Sequence, residues 1–293
     1  MTLSEQQLET WGHTGADSGS ARTYDTVKNI INNSAYAKKN ELSIFLQGSY
    51  ANTTHVRANS DVDIVVMLKS VWTSDKTKLT EPEKTTYSTK TSTSAYSHSE
   101  LRNDLTNLFG NRVTGSGNKS IKLNLGNGYL NADVIPCLSH RVYHSFSEAN
   151  QAHYTEGVSI KKPDGSLIYN FPKQHIDNGV KKHQSTGDLY KKVVRIFKNA
   201  RNKLVDEGKL NNRVAPSYFV ECLLYNAPNS CYTTSLQTSV FNCLKWLNEN
   251  TENLNSFNCQ NGITRLFGQE ETQWNATDCK AFIGACIQLW NGE

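Results

Sequence analysis

Apolar positions recur along this chain with two different periods, and the change between them divides it. Residues 21–39 place Val27, Ile30, Ile31 and Ala35 on one stripe at helical spacing, and residues 5–11 are a shorter helix candidate. Residues 42–47 are a short apolar strand that Gly48-Ser49 ends sharply. Residues 61–68, DVDIVVML, are the strongest strand candidate because branched side chains crowd it. The Ser/Thr-rich stretch 73–94 predicts a loop or flexible insertion. A helix is expected over 99–109. Strands are expected over 112–114, 119–125 and 129–137, separated by the hairpin-favouring turns GSGN and GNG. Two short strands, 158–160 and 167–169, flank the turn Pro163-Asp164-Gly165. From Pro172 onward only helical periods remain. One helix opens at Gly187-Asp188 and closes at Gly208, and others cover 216–225, 234–248 and 276–289. The pattern predicts an α+β chain, with a sheet-and-helix lobe over residues 1–170 and a helical lobe over 171–293.

Bulk composition changes this picture little. At 293 residues with 37% apolar and 20% charged content, the chain is long enough for one large domain or two packed lobes. There is no internal repeat at a period of about 20–50 residues. The net charge of +4 is mild, but its distribution is not: residues 173–213 hold eleven Lys or Arg against four acids. Such a cluster suits a polyphosphate or nucleic acid, and equally a solvated helix face. Residues 1–24 have no apolar signal core, and no apolar run reaches the ~18 residues of a membrane span. Seven cysteines, odd in number and without a repeated spacing, fit reduced thiols in a cytoplasm.

The chemistry concentrates around the first strong strand. Asp61 and Asp63 are two apart on a strand and so share a face, roughly 7 Å apart along the backbone. Two carboxylates so placed repel unless a cation lies between them, and Mg²⁺ takes oxygen ligands while leaving room for phosphates. Gly48-Ser49 follows a strand and opens a helical turn, whose free N–H groups and serine hydroxyl suit a phosphate. A third carboxylate is expected from a neighbouring strand. Asp133 fits, because it interrupts an otherwise apolar run where a lone acid is costly. Three carboxylates holding two metal ions could clamp both the attacking hydroxyl and the leaving pyrophosphate of an in-line displacement, with Asp133 activating the hydroxyl.

Gly48-Ser49, then Asp61-x-Asp63, then Asp133 resembles the DNA polymerase β-like nucleotidyltransferase superfamily. Chain length and the helical second lobe look like its bacterial cGAS/DncV-like branch, the cyclic-oligonucleotide synthases. Arg195-Ile-Phe-Lys198 and Ala215-Pro-Ser217-Tyr218 resemble that branch's lysine and Ser-Tyr pair. The resemblance implies a nucleotidyltransferase lobe packed on a helical lobe with the active site in the cleft. It implies that Asp61, Asp63 and Asp133 are catalytic and metal-binding, and that Lys198 and Ser217 contact phosphates beside Gly48 and Ser49. It also implies that Tyr218 faces a base. ATP and other NTPs would be substrates and two Mg²⁺ ions the cofactor, with Mn²⁺ as a substitute. The product would be a cyclic di- or trinucleotide made in bacterial anti-phage signalling, and the partner a downstream effector that reads it. Neither a membrane nor stable nucleic-acid binding is expected.

Other readings remain beside this one. The same motif serves linear oligoadenylate synthesis, RNA tailing, and protein or antibiotic nucleotidylylation. A nucleic-acid sensor with a decayed site would not need all three aspartates. Cys137, His140 and His144 have a tempting metal spacing but no clear fourth ligand; a buried Cys137 with surface histidines is the expectation. Gly115–Ser120 lacks phosphate-loop spacing and reads as a hairpin turn. His55 and Arg57 stand either as loop residues or as phosphate contacts.

Overall fold

The computed structural model describes residues 3–15, 19–57, 60–91, 96–147, 152–270 and 272–293. Along the chain run α1 (Glu5–Gly12), α2 (Ser20–Asn32), α3 (Ala35–Lys39), β1 (Leu42–Leu46), α4 (Gly48–Ala51), β2 (Val62–Asp75), α5 (Glu81–Lys90) and α6 (His98–Phe109). Then come β3 (Val113–Ser116), β4 (Ile121–Leu123), β5 (Ala132–Phe146), β6 (Ala152–Lys161) and β7 (Leu167–Asn170). The last elements are α7 (Pro172–Ser185), α8 (Tyr190–Asp206), α9 (Ser217–Tyr225), α10 (Leu236–Glu249) and α11 (Ala276–Asn291). They form two compact units. A sheet unit takes Ser18–Gln47 and Asn59–Pro172, and a helical unit takes Met1–Asp17, Gly48–Ala58 and Lys173–Glu293.

The sheet unit is built on seven strands in the order β1-β2-β5-β4-β3, with β6 and β7 continuing from β5. The β2–β5 pair is parallel and every other pair is antiparallel. β2 is the central strand that its branched run predicts: Val62, Ile64, Val65, Val66 and Met67 are all buried, so both faces are covered. One face packs Val65 and Met67 against Ile135, Cys137, Val158, Ile160 and Ile168. Burying each such side chain contributes about 1.5–3 kcal/mol.

Three expectations change here. The helix over 21–39 is two helices, because the chain breaks at Asn33-Ser34 and the Ser34 hydroxyl accepts the Ala37 N–H at 3.1 Å to start α3. The strand of 129–137 begins at Ala132 and runs on to Phe146. The Ser/Thr-rich stretch is not a loop over its described part. Residues 73–75 complete β2 by pairing with His140–Val142, and α5 follows. Glu83 accepts the Thr80 N–H at 2.8 Å, a capping box that begins α5 despite its weak apolar pattern. Tyr87 then anchors the helix, its ring edge-on to Tyr143 and Phe146 and its hydroxyl 2.6 Å from that of Ser74. Residues 92–94 of that stretch lie outside the described residues.

In the helical unit, α8 buries Val193, Val194, Ile196, Phe197, Ala200 and Leu204 in one core with Leu8 of α1, Phe219 and Leu223 of α9, and Phe282 and Ile283 of α11. The expected start of α8 has a physical basis. Gly187 and Asp188 both lie in the left-handed region, φ 59 and 62, so the chain turns sharply between α7 and α8. Glu5 of α1 reaches the start of α10, accepting the Leu236 N–H at 2.6 Å and the Gln237 N–H at 2.9 Å.

Candidate active site

The parallel ladder of the sheet unit sets two of the three expected carboxylates side by side. Asp63 on β2 and Asp133 on β5 are register partners, so their Cα atoms are about 4.8 Å apart and their side chains share a face. Asp61 stands exposed one residue before β2 begins, rather than on the strand itself. Asp63 feels the cluster: burial, then Asp133, then Asp61 push its carboxyl up to about 7. Gln47 lies alongside, its N–H donating to the Asp63 carbonyl at 3.0 Å, and its buried Oε1 has no hydrogen-bond partner. The Asp61, Asp63 and Asp133 carboxylates are oxygen donors of the kind a hard divalent cation takes. Among the described residues no three His, Cys, Asp or Glu side chains are gathered into a finished metal cage. Register, not a closed ligand set, is what brings the acids together.

Sequence reasoning missed a cation in the same row. Lys122 on β4 is the register partner of Asp133 and is exposed, and residues directly opposite on a sheet share a face. The signal was the alternation Ile121-Lys122-Leu123, with the lysine as its outward position.

Gly48 follows Gln47 directly in the chain and belongs to the helical unit. The expected turn begins at Gly48 itself, whose φ of 71 favours glycine. The turn closes on itself. Asn52 donates its N–H and its Nδ2 to the Gly48 carbonyl at 3.1 and 2.9 Å, and the Thr54 N–H donates to the Ser49 carbonyl at 2.9 Å. His55 proves to be a buried residue, its Nε2 3.0 Å from the Gly15 carbonyl and its ring 4.5 Å from that of Tyr50.

Within the same unit, Ser217 is the exposed first residue of α9, and Tyr218 beside it stacks on His175 with ring centroids 4.9 Å apart. Lys198 differs from expectation. It is only 4% exposed, and its ammonium donates to the Thr54 carbonyl and hydroxyl at 3.0 Å each and to Glu221 Oε1 at 2.5 Å. All three N–H donors are engaged, so none faces a phosphate in this arrangement. Glu221, which sequence reasoning passed over, is the other half of this site. It also accepts from His175 Nε2 at 2.9 Å and from the Thr54 hydroxyl at 2.7 Å. Burial alone would raise its carboxyl; Lys198 and His175 override that and hold it at about 2. An acid inside the apolar run Phe219–Tyr225 was the available signal.

The basic cluster over 173–213 also resolves differently from either surface reading. Lys191, Arg195 and Lys198 are buried, Lys182 donates to the Ala227 carbonyl, and Lys203 and Lys209 pair with Glu207. Much of this charge is structural. The Cys137-His140-His144 spacing makes no metal site. Cys137 and His140 sit three apart on β5 and so face opposite ways, as the strand alternates. His140 is not on the surface as expected; it is buried, bonded to the Thr73 hydroxyl at 2.9 Å and stacked on Tyr169 at 4.1 Å. Gly115–Ser120 is the β3–β4 hairpin, closed by the Gly117 N–H on the Ser120 carbonyl at 2.9 Å.

A mixed sheet carrying in-register aspartates, in a chain with a C-terminal helical unit, has the fold of the polymerase β-like nucleotidyltransferases. Residues 177–291 match the family model described as the cGAS/DncV-like nucleotidyltransferase C-terminal helical domain. The cyclic nucleotide synthase CdnE01 of Staphylococcus haemolyticus is 35% identical, over 99% of this chain and 99% of its own. The solved structure of the Rhodothermus marinus CdnE c-UMP-AMP synthase with Apcpp and Upnpp superposes with a TM-score of 0.89 at 34% identity, covering 99% of this chain and 97% of that one. The Elizabethkingia meningoseptica CdnE cyclic dinucleotide synthase with GTP and Apcpp gives 0.79 at 30% identity, covering 99% of both. This chain belongs to the bacterial CdnE cyclic nucleotide synthases of the cGAS/DncV-like family, and it is a nucleotidyltransferase.

Proposed function

We propose that this enzyme joins NTPs, ATP among them, into a cyclic di- or trinucleotide and releases pyrophosphate at each bond formed. The observation that carries the reading is the register pairing of Asp63 with Asp133, with Asp61 one residue ahead of the strand. Asp61, Asp63 and Asp133 would hold two Mg²⁺ ions, or Mn²⁺ in their place, which would supply positive charge to the triphosphate and the leaving pyrophosphate. Asp133 takes the proton of the attacking ribose hydroxyl. The Gly48–Ser49 turn offers N–H groups and a hydroxyl to the phosphates, and Ser217 offers a second hydroxyl. Tyr218, half-buried and stacked on His175, offers its ring to a base. Lys198, with its donors engaged, serves these phosphates from behind rather than by contact. A linear dinucleotide then turns in the site, and a second transfer closes the ring.

The Rhodothermus marinus relative was solved with Apcpp and Upnpp and the Elizabethkingia meningoseptica one with GTP and Apcpp, which supports NTPs as the substrates here. No helix among the described residues is long and apolar enough to cross a membrane, and the seven cysteines are all buried and free. We place the enzyme in the bacterial cytoplasm, where its product would activate an effector in anti-phage defence. We read residues 171–293 as the helical lobe, as the family match over 177–291 supports, and residues 1–170 as supplying the catalytic one, except that residues 1–17 and 48–58 pack with the helical unit.

The test is incubation of the purified protein with each NTP and with all four, in Mg²⁺ or Mn²⁺, followed by phosphatase and mass spectrometry. A phosphatase-resistant product, absent from Asp133→Asn, is expected. Label transferred to added RNA or protein, without a small product, would overturn the cyclase reading.

A further inference from the structure

We propose that Glu221 is a positioning residue for the phosphate-binding turn, acting through Thr54; the idea rests on the role just given to Gly48 and Ser49. The turn continues into Thr53 and Thr54, and these two residues are gripped from one side. Lys191, Arg195 and Lys198 stand at i, i+4 and i+7 on α8 and so share a face. Lys191 Nζ donates to the Thr53 hydroxyl at 3.2 Å, Arg195 Nη1 to the Thr53 carbonyl at 2.6 Å, and Lys198 Nζ to both oxygens of Thr54. Glu221 closes the grip from α9, accepting the Thr54 hydroxyl and the Lys198 ammonium on one oxygen and His175 on the other.

Two observations say that this grip sets geometry rather than only holding the fold. Thr53 lies in the left-handed region with φ 53, a costly conformation for a β-branched residue, which persists only where its surroundings impose it. In addition, four charged side chains, Lys191, Arg195, Lys198 and Glu221, are at most 7% exposed. Apolar residues of similar volume would usually serve stability as well or better, so the charges point to a conformational task. The path to the turn is short: the Thr54 N–H donates to the Ser49 carbonyl, and Asn52 donates twice to the Gly48 carbonyl. Displacing Thr54 therefore moves the N–H groups of residues 48–49 without touching the aspartates.

Thr54→Val in the full chain is the direct test, because it removes the hydroxyl at nearly constant volume and leaves the Lys198–Glu221 pair in place. KM for the NTP should rise about tenfold with kcat within about twofold, as expected when a turn that binds the substrate in its ground state is loosened. Melting temperature should hold within a few degrees, and Thr54→Ser should restore KM. In a Glu221→Gln background, where the Lys198–Glu221 charge pair is already lost, Thr54→Val should raise KM by less than it does alone, because the two changes act on one connected grip. An unchanged KM, a lowered melting temperature with unchanged kinetics, or fully additive effects would each overturn the proposal. If Thr54→Val does not fold, Thr54→Ala against Thr54→Ser gives the same comparison. Should the wild-type chain turn over no NTP, the proposed function fails; affinity for a non-hydrolysable ATP analogue then decides this inference by the same pattern.

Discussion

Asp63 and Glu221 are both acids within reach of other charges, and their surroundings drive them in opposite directions. Asp63 sits among acids and is pushed up; Glu221 sits between a lysine and a histidine and is held low. The consequence for stability follows from the sign. A carboxyl whose folded value lies below its ordinary 4.5 stabilises the fold above that value, and loses its contribution as pH falls toward the folded value of about 2. The native enzyme should therefore lose stability as it is acidified from about pH 5 to about pH 2. Glu221→Gln should flatten that part of the profile and lower stability at neutral pH, because it leaves the Lys198 ammonium buried without its counter-charge. Urea melts of both proteins across that range check the prediction; equal slopes would show that Glu221 does not carry it.

At the scale of elements, short signals and long packing compete. α1 reads as a helix from Glu5 onward, yet nothing in its eight residues says what it packs on. In the structure Leu8 is fully buried in the core of α8, α9 and α11, and Glu5 caps α10. Leu8→Ala should cost about 2–5 kcal/mol, the range for a leucine deleted from a closed core, measured by denaturant unfolding. A loss under about 0.5 kcal/mol, ordinary for a surface change, would mean that α1 is not seated there. The 73–91 stretch shows the converse. Its composition suggests a loop, whereas its capping box and one anchoring tyrosine suffice for α5. Caps and single anchors act at particular positions and leave little trace in average composition.

For the whole molecule, the interleaving of the two units matters most. Residues up to Asp17 and residues Gly48–Ala58 pack with Lys173–Glu293, although 114 or more residues separate those last two segments in sequence. A polypeptide of Lys173–Glu293 alone would leave Lys191 and Lys198 without Thr53 and Thr54, Arg195 without the Gly12 carbonyl, and the Leu8 site open. It should fail to unfold cooperatively, while the full chain does; a sharp calorimetric transition from the fragment would contradict this. Much was legible beforehand. The branched run at 61–68 and the helical periods after Pro172 identified the two kinds of structure, and the motif Gly48-Ser49, Asp61-x-Asp63, Asp133 pointed to nucleotidyl transfer. Those signals are local, since period, capping and motif spacing act within a few residues. Tertiary structure alone decided that Asp63 and Asp133 are register partners, that Lys122 joins their row, and that the basic cluster turns inward to Thr53, Thr54 and Glu221. Those pairings join residues far apart in sequence, and the sign of a charge carries no record of which distant partner will bury it.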